Sequence, residues 1–470
     1  MNKSEQRYFH MFAHIGQKKS PHYYLMFAII RNMENWDEAI LDESLKNKPF
    51  YSQKAVIKHQ LYQKLLDALH WYHLEQDEEE KIKRKLHQAY LLIARNLPKQ
   101  AEKLLDKAIQ LIIDKEIYNC WPEAIRIKQM LLEQSLRKGD PIKAIDKWQR
   151  QSTLNNSILQ EEQTLKWQKI HAYQRHFYGN TADQNTQRYP VPSETISTMG
   201  QADYQQMMAL QAFQEQRFAA AYKHNLLQLK LLESCLNAHR GVPNRYLSVF
   251  YNLLIDQLQL EEYEELYKGL GKLRSLPKQK SFRKIKNIQV KAFTWSFQLE
   301  LNAFLQQQDF ASGYSLLIPL KNGIKEYQKE LGTPAHASLM HLGGLFAFHY
   351  GDYILALDFL TPIYQQRPDL KQAIYRYAHL LYLLAHYETG NWEWLENTLV
   401  NSKRQFRQAG IPPEDMDNWL LEFLKILIQA KPGKELSNQQ ASILEKYDAN
   451  APIEKFLHLR NWLTKKEKGQ

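Results

Sequence analysis

LMHLGGLFAFHYGDYILALDFLTPIY, residues 339–364, is the stretch whose reading decides the fold. It reads as a helix, a tight turn and a second helix. Gly344 is small where two helices must touch, Gly351 and Asp352 make the turn, and Tyr353, Ala356 and Leu360 follow at helical spacing. The same skeleton can be laid over Ala89, Ala101, Leu105 and Ala108, and over Gly139, Asp140, Ala144 and Trp148. Weaker copies turn at Gln216-Arg217-Phe218, Glu261-Glu262-Tyr263, Gln308-Asp309-Phe310 and Gly390-Asn391-Trp392. In a common register the copies align at Ala101, Ala144, Ala221, Leu266, Gly313, Ala356 and Leu395, with separations of 43, 77, 45, 47, 43 and 39 residues. The longest separation fits two units with a degenerate copy between them. A period of about 20–50 residues marks an array whose units bury their apolar faces only against neighbours.

The order of small, turn and apolar positions resembles the tetratricopeptide repeat, whose usual unit is about 34 residues, so these hairpins are longer than the standard pattern. The resemblance implies an all-α fold, a TPR-like α-solenoid forming a right-handed superhelix of helical hairpins. It also implies that the first helix of each hairpin lines a concave surface. Before the repeats, KSEQRYFHMF, YYLMFAIIRNM, WDEAILDESL and YSQKAVIKHQLYQKLLDALHWYH read as four helices, with Ser4 as a cap for the first. KSEQRYF and the ending LDALHWYH resemble the opening of a bacterial family that joins a short helical head to a TPR-like array. That resemblance implies an architecture and no activity. The expected layout is a head at 1–75, first repeats at 76–178, a polar loop at 179–203 in place of a degenerate unit, further repeats at 204–436 and capping helices at 437–470.

Composition agrees with long helices. Only 17 Gly and 17 Pro in 470 residues leave little room for a turn-rich β protein. The start carries no apolar signal core and no apolar run reaches membrane-spanning length, so a cytoplasmic chain without membrane attachment is expected. Two cysteines, Cys120 and Cys235, are too few for a disulfide framework or a zinc cage. No phosphate-cradling, dinucleotide, HExxH or GxSxG motif occurs, and Gly269 and Gly271 follow no strand. His10 and His14 are one helical turn apart and His22 follows, but no cysteine or paired carboxylate completes a set, and His341, His349, His379 and His386 fit groove or core positions better than a metal site. A non-catalytic protein without cofactor or metal follows.

On the inner face of the first helices the register places Arg126 and Arg137, then Tyr251, Trp295, Gln298 and Asn302, then His341, Phe348, His349, Tyr377 and Tyr387. Aromatic rings with amide and guanidinium groups suit an extended peptide, while simple core packing is the competing explanation. The charge pattern offers an alternative. Lys272, Arg274, Lys278, Lys280, Arg283, Lys284, Lys286 and Lys291 form a run with no acid among them, in a chain of formal net charge +11. With Lys54, Lys58 and Lys64 of the fourth head helix, they would serve a nucleic-acid-associated regulator, against the plain reading of a solvated connection. The acidic run Asp77–Glu80 reads as a solvated linker or cap between head and array that would shield a helix start electrostatically, against the functional reading of a docking strip for a basic partner. The expected partner is therefore a protein or peptide, with nucleic acid as the alternative and self-association through exposed repeat ends left open. Ile453, Phe456, Leu457 and Leu463 mark the tail as a cap.

Overall fold

The computed structural model describes residues 1, 3–15, 20–33, 36–74, 77–136, 142–178, 190–193, 196–236, 241–366, 369–429, 442–448 and 450–467. Every regular element among the described residues is helical. The chain divides into two compact units, one of Met1–Gln211 with Leu227–Val242, the other of Ala212–Leu226 with Pro243–Gln470.

The first unit opens with the head, α1 (Lys3–Ala13), α2 (His22–Arg31), α3 (Glu38–Leu45) and α4 (Lys54–Leu74). Both α1 and α2 pack on α4 around Phe9, Met26, Leu41, Phe50, Ile57 and Leu61. Because α1 begins at Lys3, Ser4 lies inside it rather than before it as a cap. Asp77 accepts a backbone hydrogen bond from Glu79 and starts α5 (Glu78–Ala94), whose acidic first turn suits the positive end of the helix dipole. Helix α5 pairs with α6 (Pro98–Asp114), which packs on α7 (Trp121–Leu136). Ala89, Ala101, Leu105 and Ala108 are all buried there, as the repeat register requires.

The long separation in the register has a physical explanation other than a degenerate hairpin. Helix α8 (Ile142–Tyr178) runs for 37 residues, about 55 Å at 1.5 Å per residue. That is 20 more than the 17 of α6, and together with the long stretch before α9 it takes up the extra sequence. Residues 179–189 lie outside the described residues. The described chain returns at 190–193 and 196–198, pinned by three carboxylates. Glu161 accepts from the Ser193 N–H at 2.6 Å, buried Glu162 accepts from the Ser197 hydroxyl, and Glu116 accepts from the Thr198 N–H at 2.8 Å. Ser197 caps the Gly200 N–H at 3.0 Å, so α9 (Thr198–Gln214) starts inside the stretch expected to be loop.

Beyond it come α10 (Phe218–Ser234), α11 (Val242–Gln259), α12 (Tyr263–Ser275), α13 (Ile288–Gln306), α14 (Phe310–Ser315), α15 (Leu317–Glu326), α16 (Thr333–Tyr350), α17 (Tyr353–Gln365), α18 (Ala373–Glu388), α19 (Trp392–Gln408), α20 (Met416–Gln429), α21 (Pro452–Leu457) and α22 (Leu459–Glu467). In the second unit first helices also pack on first helices, α13 on α16, α16 on α18 and α18 on α20. Ala221, Leu266, Gly313, Ala356 and Leu395 are buried at equivalent positions. A Cβ on Gly344 would lie 2.7 Å from Leu360, which explains the small residue where α16 and α17 touch.

One turn recurs in six hairpins. Asn96, Gln216, Glu261, Gln308, Gly351 and Gly390 all have left-handed φ, between 55° and 99°. The next residue's N–H then bonds back five positions, as in Leu97 to Leu92, Glu262 to Gln257, Asp309 to Phe304 and Asp352 to Ala347. Four of the six are not glycine, so each holds an L side chain in a conformation costing about 1–2 kcal/mol. Changing exposed Gln308 to glycine is accordingly expected to stabilise the second unit by roughly 1 kcal/mol, read as a higher urea midpoint. A lower midpoint would mean that the side chain stabilises the turn. Asp352 then couples hairpins, since it caps the Leu355 N–H at 3.0 Å and accepts from the Tyr314 hydroxyl of the preceding hairpin at 2.8 Å.

Candidate functional site

Trp295, Gln298 and Asn302 recur at i, i+3 and i+7, so they share one stripe of α13. Tyr251 of α11 stacks on Trp295, with ring centroids 4.3 Å apart and planes 20° apart. Gln298 Nε2 donates to Ser338 Oγ on α16 at 3.1 Å, and Asn302 Nδ2 donates to the Gln298 carbonyl at 2.6 Å. All four side chains are half-buried. The structure thus brings this part of the sequence-derived set together as a ladder across three successive first helices, partly open to solvent.

Further along the same unit the expectation of an open surface fails. His341, Phe348, Tyr377 and Tyr387 are buried, the first three to 3% exposure or less. The cause lies in the helices themselves. Every residue from Leu339 to Phe348 of α16 and from Tyr377 to Ala385 of α18 is buried, and a helix apolar all round must be covered on every side. Part of that cover is the chain's own tail. Phe456 stacks on Tyr377 at 4.3 Å. The Trp462 ring lies 6.5 Å from Phe348, 6.2 Å from Tyr387 and 6.2 Å from Phe423 of α20. Its Nε1–H donates to Glu388 Oε1 at 2.6 Å, and Lys466 pairs with the same carboxylate at 2.9 Å. Half-buried His349 donates from Nε2 to the Leu457 carbonyl at 2.7 Å. Ile453, Leu457 and Leu459 are fully buried. The tail therefore covers the first-helix face of α16, α18 and α20. Its spacing of apolar residues was visible beforehand, while its seat was not.

Burial sets the protonation of this region. It holds His341 and His379 down at about 4 and raises the Tyr387 hydroxyl to about 12. His379 donates from Nε2 to Ser402 Oγ at 2.8 Å, a core role. Arg376 pairs with buried Asp417, whose carboxyl burial still raises to about 6 against the pull of that guanidinium.

Arg126 belongs to the first unit, exposed on α7, with its guanidinium 5.3 Å from the Tyr90 ring. Arg137 lies outside the described residues. His14 uses both ring nitrogens, on the His10 carbonyl and on Ser20, and His22 stacks on Phe50. Cys120 is buried, its thiol pushed up to about 11 by desolvation, and Cys235 is half-buried beside Met199.

The basic run divides in two. Lys272 sits over the Tyr246 and Phe250 rings, Arg274 pairs with Glu300 and donates to Ser296, and Lys291 donates to Asn244. Lys278, Lys280, Arg283, Lys284 and Lys286 are exposed on the connection between α12 and α13. The head lysines are neutralised instead: Lys54 by Asp42 and Glu38, Lys58 by Glu38, Lys64 by Asp67.

No protein-family model matches the chain, and neither a curated protein nor a solved structure does. The functional reading therefore rests on the residues themselves. No helix among the described residues is long and apolar enough to cross a membrane.

Proposed function

We propose that the second unit is a non-catalytic scaffold that holds a segment of a partner protein on its first-helix face, the concave groove of a TPR-like α-solenoid. The observation that carries this reading is the seat of the tail. That face already holds a peptide segment through an aromatic stack, a buried indole bonded to Glu388, a lysine on the same carboxylate and a histidine on a backbone carbonyl. These are the anchors by which proteins bind segments in general: rigid aromatic rings, a desolvated charge pair and backbone hydrogen bonds.

The half-open ladder of Tyr251, Trp295, Gln298 and Asn302 offers similar chemistry on α11 and α13, where it stays partly open to solvent among the described residues. Flat rings there can take up apolar side chains at low entropic cost, and the amides can serve a peptide backbone. The test is affinity purification of the full chain from its native cell, wild type beside the double variant Tyr251→Ala, Trp295→Ala. A specific partner should fall at least about tenfold with the variant, the loss of one or two anchors at roughly 1.4 kcal/mol or more. A partner retained undiminished by a folded double variant would rule out the groove.

A further inference from the structure

Of all the cations the sequence puts in clusters, five stand apart. Lys278, Lys280, Arg283, Lys284 and Lys286 lie within nine residues, all exposed, and none has a carboxylate within ion-pair distance among the described residues. Their platform is anchored. Leu276, Phe282 and Ile288 are buried at its two ends and middle, Phe282 packs on Tyr246 with centroids 5.4 Å apart, and turn hydrogen bonds run from Gln279 to Leu276, from Phe282 and Arg283 to Gln279, and from Ile285 to Phe282. A fixed backbone presents these charges together. The acids of the same hairpin, Glu261, Glu262, Glu264 and Glu265, sit at the opposite end of α12, and Lys268 pairs with Glu264 and Glu265.

What the loop lacks identifies its partner. Between 278 and 286 its exposed side chains are five cations and Gln279, with the one aromatic ring, Phe282, turned into the core. A protein interface needs an apolar or aromatic centre, and single-stranded nucleic acid needs stacking platforms. A phosphodiester backbone needs only lysine, arginine and amide donors. We infer that the α12–α13 connection is a contact surface for the phosphate backbone of double-stranded nucleic acid, read without regard to sequence.

The experiment is fluorescence anisotropy with the full chain and labelled random-sequence DNA and RNA duplexes of about 20 base pairs, titrated between about 50 and 200 mM salt. Five phosphate contacts predict a log–log slope of roughly −4 to −5, a several-hundred-fold weakening over that range. The variant Lys278→Ala, Lys280→Ala, Arg283→Ala, Lys284→Ala, Lys286→Ala removes no buried side chain and should melt as wild type does. It is expected to bind at least about 100-fold more weakly at the lower salt, with the slope falling toward zero. Arginine in place of the four lysines should preserve the slope. Three outcomes overturn the inference: no binding of either duplex by the wild type, an unchanged slope in the alanine variant, or binding of an acidic peptide or of phosphatidylserine vesicles through these residues where neither duplex binds.

Discussion

Replacing Trp462 with alanine is expected to destabilise the second unit by about 3–5 kcal/mol, the range for truncating a large buried aromatic side chain. The indole is 4% exposed and lies among Phe348, Tyr387 and Phe423, so its removal leaves a cavity bounded by three elements that cannot all collapse inward. It also deprives half-buried Glu388 of the 2.6 Å hydrogen bond, leaving Lys466 as partner. Phenylalanine at the same position would keep most of the contact and lose a hydrogen bond to a charged acceptor, roughly 1.5–3 kcal/mol. Urea unfolding of both variants separates the two contributions. An alanine variant within about 1 kcal/mol of wild type would mean that the tail does not pack on this face in solution.

The second large effect is a pH dependence. Asp256 on α11 is 1% exposed, and the Asn225 amide donates to its Oδ2 at 2.7 Å. Burial raises its carboxyl from 3.8 to about 7, with the Asn225 hydrogen bond opposing. The folded state therefore holds a proton that the unfolded state releases at lower pH. The stabilisation is complete below pH 4 and is lost as pH rises toward 7, a change on the order of 4 kcal/mol. Asp256→Asn makes the neutral form permanent. It should match wild type near pH 4 and exceed it progressively up to pH 8, measured as the difference between two urea midpoints at each pH. Taking the difference removes the contribution of Asp417, raised in the same direction, and those of His341 and His379, whose lowered values cost stability as pH falls from 6.5 to 4. Equal profiles for the two proteins would show that Asp256 is ionised in the folded state.

Most of the helical plan could be read from spacing alone, because each hairpin carries its own turn and apolar register. The weaker turns at Gln216, Glu261 and Gln308 were harder to see, since the left-handed position that usually selects glycine holds ordinary side chains there. The overlong α8 was hidden by the assumption that a missing period means a missing hairpin. In the candidate site, Trp295, Gln298 and Asn302 were legible as one helical stripe. Phe348 and Tyr377 have the same aromatic chemistry, and only the unbroken apolar runs around them signalled that something must cover their face. Charge was legible where it was contiguous, at 278–286. It was misleading in the head, where Lys54 and Lys58 find acids 12 and 20 residues away across a turn.

The tail also fixes an order of events in folding. Within a hairpin, partners are near neighbours along the chain, and such contacts close quickly. Docking of α21 and α22 joins His349 to Leu457 across 108 residues and Glu388 to Trp462 across 74, so its loop-closure entropy is paid only after the helices that form its seat exist. The aromatic face of α16 and α18 is thus expected to be shielded late in refolding, after the helices that form it have packed.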